Sequence, residues 1–525
     1  MKDLKYILLF FCCLGAIQST YGQKKYRIKI QHADSLKNGA RNGEEYTKLF
    51  GNAKFIHENT IIYCDTAYSF DRTNTMEAIG HVKILQGDSI TITGKKLFYN
   101  GNTKLAQFRE DVVYKDDSIT IYTDFLDYDM PGKLAYYFNG GKVVDSKNVL
   151  ISDKGYYDTR TKFSSFKDNA ELTTPEAVIT GDTLQYDLNA DIAYFRGPTR
   201  IVKKDGTTLN AHKGKYITRI EKSEIEKGVI ESGDQILEGD ALDFDDLNKF
   251  YTSTGNVKVI SEKDKVIILG DFGKYWAADS ITKVYGNALM KKAFKDDTLY
   301  LSADTLVSID NIDPRKKRLL AFNNVKVYHT DMQGKADSLA YHQADSIIYF
   351  YNDPIIWNGG NQIVADSINM VIRNDQIDRM NMTQNAFVIS LDSLLIRHNQ
   401  IKGRDMIAYF EENEINKVDV FGNAESIYFV AENDTILFGM NKIVCSDMRI
   451  LFKEGEVNSI NTYVNPDATL IPPHEMEEPD TRLKDYRWRQ DEKPTKNEVI
   501  YGESKVEEVI DKKTTARKKR IRPEE

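Results

Sequence analysis

Gly80 to Phe108 reads GHVKILQGDSITITGKKLFYNGNTKLAQF, and its apolar residues change parity half-way along. Ile90 and Ile92 alternate with Thr91 and Thr93. After Gly94-Lys95-Lys96 the alternation resumes one place out of step, with Leu97 and Tyr99 flanking Phe98. Successive side chains of a strand face opposite sides, so both halves keep their apolar residues on one face only if the strand bends or bulges near Gly94. Ser118 to Asp129, Val178 to Asp187 and Thr298 to Asp310 repeat the pattern, pivoting at Asp124, at Gly181-Asp182 and at Ala303-Asp304.

Working outward, a unit of about 29 residues can be laid over Gly51 to Ile79, Arg109 to Phe138 and Lys167 to Phe195. Further starts fall at Gly255, Gly286, Asn323, Asn352 and Gly422, giving roughly thirteen copies. A fixed period of this kind marks a stacked protein rather than a compact enzyme domain. The fold class it predicts is all-β: an elongated antiparallel β-jelly roll in which two facing sheets are joined at the bends. Gly-Asn, Gly-Asp, Asn-Gly and Asp-Asp pairs read as tight turns between strands. The competing architecture is a parallel β-helix, with shorter coils and glycine-rich calcium repeats; Asn358-Gly359-Gly360-Asn361 approaches that pattern without continuing it.

Met1 to Gly22 carries Lys2 and Lys5, an apolar run from Tyr6 to Ala16, and small residues before Gln23. This is the pattern of a cleavable secretory signal peptide, with an apolar run too short to span a bilayer. The reading divides the chain into a signal peptide (1–22), an N-terminal jelly roll (23–195), a continuation or second jelly roll (196–471) and a disordered charged tail (472–525). The tail alternates Lys, Arg, Glu and Asp with prolines and is too polar to offset its ordering entropy by burial. Only Val499 to Lys513 within it has helical character. Its basic run, Arg517 to Arg520, suits peripheral contact with anionic lipid heads, although a solvated terminus is the plainer reading. Cys64 and Cys445 are far apart in the repeat order and are expected to be buried free thiols.

Enzyme chemistry has little to stand on. The eight histidines are scattered singly, without the spacing of a zinc site, and each reads as a surface or turn residue. Asp182, Asp240, Asp271, Asp304 and Asp366 are one bend position seen many times, not a catalytic set. No phosphate loop, nucleophile elbow or Cys-x-x-Cys occurs, so neither a cofactor nor a metal is expected. The formal charge of −8 disfavours nucleic acid as a partner.

With these residues in view, the chain resembles the OstA-like (organic solvent tolerance) family, whose relatives are periplasmic lipopolysaccharide-transport proteins of the LptA type. The likeness rests on Gly80-His81-Val82-Lys83-Ile84 followed by Ile90 to Leu97, and on Leu301 to Leu306 and Ile363 to Ile368, which repeat the second half of the unit. It extends over roughly Ile28 to Tyr463. The resemblance implies a twisted, open jelly roll, a folded taco, whose inner groove holds lipopolysaccharide acyl chains. It also implies a periplasmic location and end-to-end strand addition to other jelly-roll components. This chain departs from the family in being several times longer than a minimal member and in lacking outer-membrane barrel strands.

Groove candidates are the inward positions Ile62, Val82, Ile84, Ile90, Ile92, Leu97, Ile119, Ile121, Leu126, Ile179, Leu184, Leu299, Leu301 and Leu306. The expected function is a lipid-binding bridge that carries lipopolysaccharide or a related glycolipid toward the outer membrane without chemistry. The alternative is an exported structural or adhesive repeat protein with a filled interior. The same inward residues serve both.

Overall fold

The computed structural model describes residues 26–502, apart from residues 234, 296, 375, 413, 433–435 and 454–455. The signal-peptide reading of residues 1–22 and the basic run at 517–520 lie outside the described residues. Among those described are 34 strands, a few 3-10 turns and one short helix, Lys496–Tyr501. Strand pairing is antiparallel, as the parity shifts require, and the parallel β-helix is set aside. The chain divides into two compact units, Met1–Phe195 and Arg196–Glu525.

The parity shift has a definite cause. Where Thr75–Gln86 pairs with Ile90–Asn100, Gly80 and His81 together oppose Lys95 alone, so the register slips by one and the ladder bends. Both bulge residues are left-handed, with φ of 80° and 38°. Consecutive left-handed pairs recur at Gly51-Asn52, Asp168-Asn169, Gly255-Asn256, Gly286-Asn287, Asn323-Asn324, Gln384-Asn385 and Gly422-Asn423. The Gly-Asn pairs at 51, 255, 286 and 422 therefore sit in mid-strand bulges, whereas Gly101-Asn102 lies in a turn between strands as the sequence reading expects. Glycine suits the first position because a Cβ at Gly80 would come within 2.4 Å of the Asp65 carboxylate.

The recurrent aspartates belong to the same device. Asn256 donates through Nδ2 to Asp240 at 2.6 Å, Asn287 to Asp271 at 2.6 Å, and Asn385 to Asp366 at 3.0 Å. Each of these three left-handed asparagines is thus tied to an aspartate at the bend of an earlier strand. This fixes where the strand folds over.

Beyond the bend, the two halves of each strand bring their apolar faces together. In the first unit one half supplies an unbroken row of Cα partners: Phe55, Ile62, Ile84, Ile92, Tyr114, Ile121, Val143, Leu150, Leu172 and Ile179. Leu97, Phe108, Leu126 and Tyr137 form part of a matching row on the other half. Large aromatics, including Phe55, Tyr99, Phe108, Tyr114, Tyr128 and Tyr137, are fully buried in this unit. Cys64 and Cys445 are free and buried, each in its own unit.

The expectation of a disordered tail from residue 472 needs correction over its first part. From Pro473 to Tyr501 the chain forms 3-10 turns and the short helix, and it packs on the second unit. Leu483 is buried with Phe387, Ile389, Ile427, Phe429 and Met440, and Met476, Tyr486 and Trp488 pack against this cluster. Two buried glutamines clamp the segment by its backbone. Gln400 donates to Thr481 O at 2.8 Å and accepts from Leu483 N at 2.8 Å; Gln362 donates to Arg487 O at 2.7 Å and accepts from Arg489 N at 2.6 Å. The polar composition misled because the apolar surface it covers lies on the strands, not in the segment itself.

Ion pairs complete the attachment: Arg489 to Asp353 at 2.9 Å, Arg489 to Glu492 at 2.6 Å and Lys335 to Glu492 at 2.8 Å. Hydrogen bonds from Arg489 and then Lys335 hold the Glu492 carboxyl at about 2, below its ordinary value of 4.5. A lowered carboxylate pKa stabilises the fold above the unfolded value and loses that contribution as pH falls through the folded one. Protection of the amides of residues 476–501 against hydrogen exchange, taken relative to the intrinsic rate at each pH, is therefore expected to fall between about pH 4.5 and pH 2. Glu492→Gln should remove that step, and an unchanged profile would show that the pair does not hold the segment.

Candidate functional site

The ends of the strand halves, with their turns, form two lips that face each other across the interior. In the first unit the lips are joined. Glu58 meets Lys104 at 2.6 Å, and His57, buried in one lip, shares a hydrogen bond with Tyr99 Oη at 2.7 Å. His57 is thus an interior residue and not the surface residue expected; burial lowers its pKa. Further along, the Asp116 carboxylate receives Lys162 Nζ at 3.0 Å, Tyr157 Oη at 2.8 Å and the backbone N–H groups of Ser118 and Ile119. Burial alone would raise its pKa, but the two N–H donors, Lys162 and Tyr157 outweigh it and hold it below the usual range. Asn148 donates to Tyr186 Oη at 2.9 Å.

Behind these contacts the candidate side chains of the first unit are buried. Ile62, Val82, Ile84, Ile90, Ile92, Leu97, Ile119, Ile121, Leu126, Ile179 and Leu184 are all between 0 % and 8 % exposed. The repeat thus aligns these residues on one buried face.

The second unit differs. A cavity of about 460 Å³ lies between its facing halves. One wall is a row of Cα partners, Val259, Ile268, Met290, Leu301 and Val327. The other is the row Thr282, Ser308, Leu319, Tyr341, Ile348 and Met370. Leu299, Leu339, Phe350, Ile372 and Ile377 complete an apolar lining. The first of these rows is wholly aliphatic and methionine side chains, and the second mixes them with Thr282, Ser308 and Tyr341. The volume lies in the ~300–1,000 Å³ range of ordinary small-molecule sites.

Of the sequence candidates, Leu299 and Leu301 line this cavity, and Leu306 is buried in the same core cluster without lining it. The facing row Leu319, Tyr341, Ile348 and Met370 was missed. Its signal was the second half of each repeat, where apolar alternation continues after the bend. Among the described residues no group of His, Cys, Asp or Glu is arranged to hold a metal ion, and no helix is long and apolar enough to cross a membrane.

Comparison with known proteins bears on the first unit. Residues 25–182 match the model of the OstA-like protein family. Over this stretch the chain is similar to that family. The match ends before the strands that enclose the cavity. Among solved structures, LptH of Pseudomonas aeruginosa, the LptA-homologous periplasmic component of the lipopolysaccharide transport device, is 14% identical. That alignment covers 22% of this chain and 82% of LptH, with a TM-score of 0.20. No curated protein matches the chain.

Proposed function

We propose that this protein is a periplasmic lipid carrier that holds the acyl chains of lipopolysaccharide, or a related glycolipid, in the cavity of its second unit and passes them toward the outer membrane without a chemical step. The observation that carries this reading is the apolar cavity between the two aliphatic rows. The OstA-like match over residues 25–182 and the transport role of LptH are consistent with it. Each buried methylene contributes ~0.8 kcal/mol, so a chain of about a dozen carbons gains several kcal/mol even when partly covered. Burial is non-directional, so the chain can shift along near-equivalent rows while its head stays in water.

Partners of this carrier are other jelly-roll components, docking by strand addition. The strand Ser35–Arg41 pairs with Glu44–His57 at one end of the described residues, and Glu456–Tyr463 pairs with Ile436–Lys453 at the other. The second reading, an exported structural or adhesive repeat protein with a filled interior, is favoured only by the burial of the inward residues of the first unit.

Mass spectrometry of protein purified from its native envelope is expected to find a bound acylated lipid. Leu299→Trp, which projects an indole into the cavity, should weaken binding of a fluorescent fatty acid. Excluding three methylenes costs about 2.4 kcal/mol, or roughly fiftyfold in affinity. Absence of lipid in the purified protein, together with unchanged binding by Leu299→Trp, would sink the carrier reading.

A further inference from the structure

On the outer face of the second unit an unbroken row of Cα partners follows the bends, strand by strand. It carries Phe272, Tyr285, Phe322, Tyr351, Phe421 and Tyr463, most of them separated by serine, threonine or aspartate. Tyr285, Phe322, Tyr351 and Phe421 each stand immediately before a left-handed pair, so the repeat itself sets their place. Burial is not their task. Phe272, Phe322, Tyr351, Phe421 and Tyr463 are between 39% and 48% exposed.

The row is also acidic. Asp271, Asp304, Asp337 and Asp366 stand at the bends beside it, each accepting from an asparagine amide, a neutral donor that leaves the carboxylate charge in place. Asp405 and Asp447 are the Cα partners of Phe421 on either side, and Arg404 meets Asp405 at 2.8 Å. At the Phe272 end the rings already take ammonium groups: Lys274 and Lys283 Nζ lie 5.7 Å and 5.4 Å from the centre of Tyr285. Among the described residues no lysine or arginine stands over Phe322, Tyr351, Phe421 or Tyr463 in this way.

The same chain holds cations suited to these rings. Residues 512–522, which lie outside the described residues, read KKTTARKKRIR and contain no carboxylate, in a chain of formal charge −8. The path to them leaves from the outer face of this unit. Lys496 Nζ of the short helix lies 5.0 Å from the centre of Tyr300, and Gly502 caps that helix. Tyr300 shares a strand with Thr305, the Cα partner of Phe322 in the row, and five residues of strand span ~17 Å. Lys512 is ten residues beyond Gly502, a stretch that reaches at most ~36 Å. The row is within reach.

We infer that this aromatic and acidic row is the docking site of the basic run Lys512–Arg522 of the same chain. Ring faces and carboxylates both attract ammonium and guanidinium groups, and a row of them sums its field along the surface. The inference is independent of the carrier reading, because it assigns the outer face and not the cavity.

The test treats the full chain with a carbodiimide, which condenses a lysine amine with a carboxylate into an amide and itself takes up the water as a urea. Mass spectrometry then identifies the joined peptides. At about 20 mM salt Lys512, Lys513, Lys518 and Lys519 are expected to join Asp337, Asp366, Asp405 or Asp447, with the yield falling about tenfold at about 0.5 M salt. Phe322→Ala combined with Tyr351→Ala and Phe421→Ala should lower the yield about fivefold at an unchanged melting temperature. Leucine at the three positions serves if the alanines perturb folding. Joining of these lysines only to carboxylates away from the row, no joining to the body of the chain, or a yield indifferent to the ring substitutions would overturn the docking. In an equal mixture of light and heavy isotope-labelled chains, amides formed between the two isotopes would place the run on a second copy and overturn the same-chain assignment.

Discussion

Ending the chain after Pro472 is expected to cost the second unit several kcal/mol and to make it sticky. Residues 473–501 cover the outer face of strands whose inner face forms the core, and beneath them Ile389, Ile427, Phe429 and Met440 are buried. Burying one large apolar side chain contributes about 1.5–3 kcal/mol, and the segment also inserts Leu483, so the loss is roughly 5 kcal/mol or more. Gln362 and Gln400 would lose four hydrogen bonds to the segment backbone at the same time. Chemical denaturation of the full and shortened chains gives the difference, and an apolar dye should bind the shortened one. Leu483→Ala supplies a milder check, at about 2–3 kcal/mol. Equal denaturation midpoints for all three would show that the segment merely lies on the surface.

The second large effect concerns the closed lips of the first unit. Lys162→Met removes the cation but leaves the Asp116 carboxylate, whose side chain is 2% exposed, held by Tyr157 and two N–H groups. Stranding a buried charge typically costs 3–5 kcal/mol; Lys162 is itself partly exposed, so about 3 kcal/mol is expected. Combining Lys162→Met with Asp116→Leu should recover much of that loss, since an apolar replacement of both partners removes the orphaned charge. Thermal unfolding of the two variants decides it. A single variant as stable as the parent would mean that water already screens the pair.

The bends were legible because a parity shift is a geometric statement: Ile92 and Leu97 cannot share a face unless the strand between them is interrupted. The role of the aspartates as one structural position was legible for the same reason, although their partners, the left-handed asparagines of the next strand, were not. The covering of the second unit left a trace that went unread. Phe387-Val388-Ile389 and Ile427-Tyr428-Phe429 are apolar on both faces, which in a sheet means that something covers both. The polar, proline-containing stretch that does so gives no sign of it, because its hold depends on two glutamines more than 80 residues away.

The sequence alone determined that this chain is a succession of bent antiparallel strands with their apolar residues turned to one side, since backbone geometry links the two-residue alternation directly to a face. Tertiary structure alone decided where the facing rows mesh and where they stand apart. That outcome depends on the summed size of side chains brought together from strands remote in the chain. The pairs at Lys104 and Lys162 join the lips of the first unit, while in the second the two facing rows stand apart around a cavity of about 460 Å³.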